Sequence, residues 1–416
     1  MRERWTKRRL VAWARGLVAS QKTRRRLLLA VGWTLVAAVA VGAVLLVWRG
    51  PWWLDADHLE GKGPMPGQAA LATGFRTAVV QLLAVLGAGI ALLFTASTYR
   101  LTRRGQVTDR FVKALERLGS DQMYVRIGGV IALEQIVQDA PDQATHATQV
   151  LNAFIRERAP RPAPKLPPPS IPQRLPPEPA ADVQQALTTL TRPQNRHHVD
   201  PDQHPDLTAL HLTGAQLGGA DLTHAQLNGA DLTHARLNGA DLTRAQLNGA
   251  DLTRAQLGGA DLTYAWLNDA DLTHAYLRDA DLTHAYLGGA NLTEAWLDDA
   301  DLTEVQLDGA SLTRAQLGGA NLTRAFLYGA DLTRAQLKGA DLTHAQLGDA
   351  NLTHAQLGDA DLTGAWLNDA DLLRAEGLTV EQVVSARPSS STRLPPEIAK
   401  VPQVIARIRE VDGGEY

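Results

Sequence analysis

The chain has 416 residues, with 41 Lys and Arg against 44 Asp and Glu and a formal net charge of −3. It contains no cysteine, which excludes disulfide staples and thiolate metal sites, and its length implies several domains. The small total hides an asymmetry: residues 206–376 hold 24 acids and 9 bases, net −15, so residues 1–205 are strongly basic.

Residues 1–26 are basic, with "KRR" at 7–9 and "RRR" at 24–26, and they lead into "LLLAVGWTLVAAVAVGAVLLVW" at 27–48. That stretch is long and apolar enough to cross a bilayer, as is "TAVVQLLAVLGAGIALLFTAS" at 77–97. The loop at 49–76 holds Asp55, Asp57 and Glu60 with few bases, while "RLTRR" follows the second span at 100–104. The positive-inside rule then puts residues 1–26 and everything after residue 97 in the cytoplasm, with 49–76 outside. A cleaved signal peptide fits less well, because the first apolar run exceeds the usual length and no clear small-residue cleavage site follows it.

Residues 98–158 read as a cytoplasmic helical module. Phe111, Leu115 and Leu118 share one helical stripe; Ile127, Val130, Ile131 and Val137 form a second, and Val150, Leu151 and Phe154 a third. Residues 159–205 begin with "PRPAPKLPPPSIPQRLPPEP", half of it proline and therefore a semi-rigid extended spacer. A short helix, "ADVQQALTTL", and a polar run follow.

From Leu207 to Leu372 a leucine stands at every fifth position, 34 in unbroken series. Alanine occupies every fifth position from Ala215 to Ala375, two residues before each leucine through Leu372, failing once, at Val305. An α-helix would scatter leucines at this spacing around its axis, and a flat strand would send alternate ones to opposite faces. A coil of short extended sides and regular corners turns every Leu and Ala inward, which signals a solenoid. The units "ADLTH", "ANLTE" and "ADLTR" resemble the A(D/N)LXX motif of the pentapeptide repeat proteins. The resemblance implies a right-handed quadrilateral β-helix, a β-solenoid of twenty residues per coil, over 206–376; the two apolar stretches, read as transmembrane α-helices, and the small helical module precede it. At ~4.8 Å per coil the rod is roughly 40 Å long. The module's "RFVKALERLGS" and "VRIGGVIALEQIVQDAP" resemble a juxtamembrane segment of some membrane-bound bacterial pentapeptide repeat proteins, which implies a bacterial plasma membrane as the site. Residues 377–416 are expected to supply a capping helix, "EGLTVEQVVSA", and a tail that is loose apart from a helical stretch near Ile398 to Ile408.

Catalytic motifs are missing: the sequence has no GxxxxGK[ST], HExxH or GxSxG, so no catalytic, cofactor-binding or metal residues are expected and no cofactor is implied. Six histidines occupy matching repeat positions, His224, His234, His274, His284, His344 and His354, yet none has another repeat histidine twenty residues away. On the implied coil, Asp221, Asp241, Asp261, Asp281 and Asp301 fall in one ladder, and Asp231, Asp251 and Asp271 in the opposite one. Arg or His three residues after many of them is expected to balance the charge, leaving a solvated face. The "NLT" triplets at Asn291, Asn321 and Asn351 are repeat spelling.

One band departs from the pattern. Trp266, Tyr276, Tyr286 and Trp296 replace outward glutamines, amid acids that include Asp298 and Asp299. Twenty-residue coils stack Trp266 with Tyr286 and, on the opposite side, Tyr276 with Trp296. Exposed aromatics among charges are typical interface anchors, although stacked rings also stabilise neighbouring coils. These six residues are the candidate interaction surface. The reading is a membrane-inserted, non-catalytic scaffold for an unidentified protein partner, with a homodimer as one form of association and no direct nucleic-acid binding. The alternative comes from the resemblance: some pentapeptide repeat proteins mimic duplex DNA and bind DNA gyrase, and the net −15 suits that role.

Overall fold

The structure, a computed structural model, describes residues 68–159 and 178–414, together with Ala38, Val41, Gly42, Val44, Leu45, Trp48 and Arg49. Those seven positions are helical; the rest of the first apolar stretch, residues 1–26 and most of the proline-rich spacer lie outside the described residues. Helix α1, Gln68–Leu118, runs unbroken through the second apolar stretch and past residue 98, where a boundary is expected from sequence. It is long and apolar enough to cross a membrane: its most apolar window has mean hydropathy 2.3 and none of that window is buried.

Two compact units divide at Gly105 and Gln106. In the second, the end of α1 packs against α2, Met123–Asp139, and α3, Pro141–Arg158, follows. A side chain at Gly129 of α2 would meet the Ala114 carbonyl oxygen and the Leu118 nitrogen at 3.0 Å, so the two helices touch backbone to backbone there. Val130, Leu133, Val137, Leu151 and Ile155 are fully buried. Helix α4, Ala181–Thr191, adds Ala186 and Leu187 to the same core, so the short helix expected in the linker is an integral part of the module. The tie is ionic as well as apolar. Arg126 Nε lies 2.6 Å from Asp182 Oδ2, with both side chains buried, and Arg126 Nη1 donates to the Ser120 and Asp121 carbonyls. Glu134 pairs with Arg192, which caps the end of α4. The four-residue α5, Pro193–Arg196, then turns the chain into the rod.

Within the rod every bridge joins residues twenty apart and every pairing between repeats is parallel, which establishes four-sided coils. Four ladders result. The first runs Asp206, Gln226, Gln246, Trp266 and onward; the second His211, Asp231, Asp251, Asp271; the third Gln216, Arg236, Gln256, Tyr276; the fourth Asp221, Asp241, Asp261, Asp281. All 34 leucines of the series are buried, as are the alanines through Ala370, and Val305 is accommodated with no exposure. Each Leu carbonyl accepts from the nitrogen three residues on, as in Ala245 N to Leu242 O at 2.8 Å, closing a turn at every corner. The third turn residue takes φ near +60°, and at 22 positions that residue is not glycine. Each such corner costs about 1 kcal/mol. The cost is offset because its N–H reaches the next coil, as Arg244 N does to Thr263 O at 2.9 Å. Aspartate before the leucine organises the same corner: Thr243 N donates to Asp241 Oδ1 at 3.0 Å.

The stacked aspartates are relieved from within their ladder. Asn291 Nδ2 donates to Asp271 Oδ1 at 3.3 Å and to Thr273 Oγ1 at 2.8 Å, and Asn321 does the same to Asp301 and Thr303. The Arg or His three residues after each Asp does not pair back onto it. Corner charges pair with corners one coil away instead: His284 with Glu304, Arg324 with Glu304, and Arg314 with Glu294.

Both rod ends are covered. At the start, Gln184 of α4 donates to the Gln216 carbonyl and accepts from its nitrogen, and Asp221 N donates to Thr191 O. At the far end α6, Val380–Ser385, carries a capping box of Thr379 and Gln382, and Gln382 Nε2 donates to the Leu357 and Ala360 carbonyls. Arg387 and Arg393 extend the first and second ladders by one rung. The tail differs from the loose segment expected: Leu394, Ile398 of α7 (Pro396–Ala399) and Val404 of α8 (Pro402–Gly413) are buried against the cap. A terminal coil leaves its leucines without a neighbour, and this apolar tail supplies one.

Leu297→Ala, in mid-rod, is expected to cost about 2–5 kcal/mol, against about 0.5 kcal/mol or less for surface Gln336→Ala, read as urea midpoints. Asp182→Ala strands the buried Arg126 charge and is expected to cost about 3–5 kcal/mol, mostly by loosening α4 from the module.

Candidate interaction surface

The ladders give the rod two kinds of side. The second and fourth are lined by Asp and Asn, whose carboxylates and amides are occupied by Thr at the corners. The first and third carry Gln and aromatics, and these are the sides on which large side chains stand free.

The six residues singled out from sequence do not form one patch. Trp266 and Tyr286 sit on the first ladder, ring centroids 6.0 Å apart and edge-on; Tyr276 and Trp296 sit on the third, 4.9 Å apart and tilted. Trp266 keeps 49% of its surface exposed, Tyr276 42% and Trp296 41%, so stacking covers only part of each ring. Asp298 and Asp299 form the corner that follows Trp296. Asp298 is half-buried, accepting from Gly318 N and lying 3.6 Å from Arg278, whereas Asp299 is exposed. The third-ladder pair and the two acids therefore share a neighbourhood, and the Trp266 pair lies on the far side of the leucine column.

Three features escape a reading confined to that band. A groove of ≈ 730 Å³ runs along the third ladder, with Gln256, Tyr276 and Trp296 as its floor and the corner residues Arg254, His274 and Arg314 as its wall. The corners between the second and third ladders collect bases at coil spacing, and projecting the sequence at period twenty shows that column. Nearer the far end of the first ladder, Tyr328 and Trp366 are exposed, and the Arg387 guanidinium lies 4.6 Å from the Trp366 ring centre. At the near end His204 stacks on His224, centroids 4.9 Å apart. His204 precedes the first leucine of the series, which is why a search among repeat histidines passes it by. Its buried Nδ1 has no hydrogen-bond partner among the described residues.

His204 and Asp231 are among the groups that titrate away from their ordinary values for visible reasons. Burial first, then the neighbouring His224 and Arg196, push the His204 pKa down against the pull of Asp202 and Asp221. Asp231 is also held low: burial works to raise it, but hydrogen bonds from Thr233, Thr213 and His211 together prevail. Among the described residues no group of three or more His, Asp or Glu is placed to hold a metal ion.

Comparison with known proteins matches residues 206–239, 240–279, 255–293, 275–314 and 310–349 to the family model for pentapeptide repeats. HetL, a pentapeptide repeat protein involved in heterocyst differentiation regulation in the cyanobacterium Nostoc sp. strain PCC 7120, is 37% identical over 45% of this chain and 90% of its own, with a TM-score of 0.22. A pentapeptide repeat protein of the Arabidopsis thaliana thylakoid lumen is 30% identical over 26% and 74%, with a TM-score of 0.19. QnrB1, a plasmid-mediated fluoroquinolone resistance protein, is 17% identical over 48% and 95% in its trypsin-treated form, with a TM-score of 0.29. No curated protein matches the chain.

A histidine whose folded pKa lies below its unfolded value is neutral where the unfolded chain is protonated. Stability from the His204 junction is therefore complete above about pH 6.5 and is lost as pH falls below it. His204→Gln is expected to flatten the fall in urea midpoint between pH 7 and 5. Asp231 acts in a lower window: its contribution is present above the unfolded carboxylate value near 3.8 and disappears as pH falls through the lower folded one.

Proposed function

This chain belongs to the pentapeptide repeat family, and from that premise we propose that it is a membrane-tethered scaffold whose rod binds protein partners through its aromatic sides. The observation that carries the reading is the partial exposure of Trp266, Tyr276 and Trp296 on a support whose core is otherwise closed. A buried leucine column gives rigidity, and rings held by cross-coil stacking enter a contact with little further loss of side-chain freedom. The rod repeats one polar set and singles out no reacting group, so the reading assigns it no catalysis and no cofactor.

Tethering is the second part of the proposal. Support comes from two apolar stretches, from the apolar and unburied surface of α1, and from the bases that flank both stretches. In this reading the protein is a multi-pass protein of the bacterial plasma membrane, with both termini and the rod in the cytoplasm. The basic front of the chain is then accounted for by topology, without direct nucleic-acid binding. DNA mimicry is favoured by one observation, the two opposite Asp ladders on a segment of net −15. Against it stand the Arg and His corners, which place positive charge along two of the rod's edges.

Protease added to intact spheroplasts is expected to leave the rod whole and to digest it after permeabilisation; digestion from outside overturns the topology. The detergent-solubilised full chain is expected to retain a discrete partner that the Trp266→Ala, Trp296→Ala double variant loses at unchanged urea midpoint. Equal retention by both proteins would reject the aromatic sides, and gyrase subunits as the retained partner would favour DNA mimicry.

A further inference from the structure

The helical module and the rod meet around a small polar space. It is a cavity of ≈ 20 Å³, lined in part by Thr148 and Asn152 of α3, Leu190 of α4, Arg196 of α5 and His204 on the approach to the first coil. Two polar atoms of that lining, Arg196 Nε and His204 Nδ1, are buried and have no hydrogen-bond partner among the described residues. Neither side chain is loosely held. Arg196 Nη1 donates to the Gln203 carbonyl at 2.9 Å, and the His204 ring lies against His224. Arg196 Nε stands 3.8 Å from Asp221 Oδ2, beyond hydrogen-bonding distance. A charged donor and an imidazole nitrogen that are buried on one cavity without partners cost free energy, and native structures seldom leave such a pair unsatisfied.

We propose that this cavity binds one ordered water molecule, which accepts a hydrogen bond from Arg196 Nε and donates one to His204 Nδ1. The water joins the module to the rod, beside the direct bonds between Gln184 and Gln216. This inference goes beyond the scaffold reading and stands independently of it.

Size, polarity and charge together select water. A single water needs about 10–15 Å³ of such space and two to four polar partners, whereas an organic ligand needs far more room. Thr148 supplies the third partner: it is buried, and its one hydroxyl proton goes to the Thr145 carbonyl at 2.9 Å, which leaves its oxygen able to accept. A metal cation is repelled by the Arg196 guanidinium. Chloride would fit by size, but it needs donors on every side, and the Asp221 carboxylate already stands beside Arg196. His204 is not forced to be a donor there. Burial first, then His224 and Arg196, hold its pKa down, so near neutral pH the ring carries one proton and is free to keep it on Nε2. The assignment therefore fixes the tautomer, with Nδ1 as the acceptor.

Solid-state NMR on the full chain in membranes, with isotope-labelled histidine, tests the site, and loss of signal in His204→Gln identifies the His204 resonances. At about pH 7.5 the His204 Nδ1 is expected to resonate as an unprotonated acceptor and to show a cross peak to a water that exchanges slowly with the bulk. Arg196→Lys keeps the positive charge but removes the Nε donor, and it is expected to weaken that cross peak severalfold. Exchanging chloride for sulfate in the buffer is expected to change neither signal. A proton on Nδ1 or no water cross peak in the unaltered chain would overturn the proposal, whatever the variants do. So would a cross peak kept at full strength in Arg196→Lys, and a His204 shift that follows chloride would make the occupant an anion instead.

Discussion

Everything in the rod follows from the requirement that each leucine be buried by the coil above and the coil below. An isolated coil of twenty residues cannot close a core, and its backbone groups on both edges would lack partners. Stacking answers both needs together, because the turn that points Leu inward also aims N–H and C=O groups along the axis. Side chains at the corners are therefore held in left-handed backbone conformations that Arg, His, Tyr and Glu rarely adopt. The axial hydrogen bonds over-determine those corners, and the strain is tolerated across the whole length.

The five-residue period was legible because the inward leucines repeat without exception, and a period incompatible with helix or flat strand leaves few architectures. The number of sides came from resemblance, and the ladders at twenty-residue spacing agree with it. The ends were less legible. Nothing in "ADVQQALTTL" announces that it docks on the earlier helical module, since the contact depends on Arg126 meeting Asp182, 56 residues on, across a proline-rich stretch. The tail after residue 387 reads as polar and proline-broken, yet the few apolar residues it has, Leu394, Ile398 and Val404, are the ones that cover the last coil.

The site was legible in part for the same reason. Rings at 266, 276, 286 and 296 stand out against a background of glutamine, so their stacking follows once the twenty-residue coil implied by the resemblance is applied. The wall beside Trp296 did not stand out, because Arg and His are spread among repeats that alternate between opposite corners, and they gather only when the sequence is projected at the period of the coil. Charge balance shows the limit of reasoning along the chain: Asp241 and Arg244 are three apart in sequence, but the turn sends Arg244 away to lie 5.7 Å over the ring of Tyr264. In a solenoid the next coil is a nearer neighbour than the next repeat.

The alternation of Asp-lined and Gln-lined ladders also bears on how such a chain tolerates replication slippage. Loss or gain of ten residues rotates all later coils by half a turn, which exchanges each kind of side for its own likeness across the axis. Five residues would lay carboxylates over glutamines and leave the Asp corners of one coil without the Asn donors of the next. The unit of neutral length change is thus the decapeptide, and a rod of this kind is able to lengthen or shorten by that step while every edge keeps its sign.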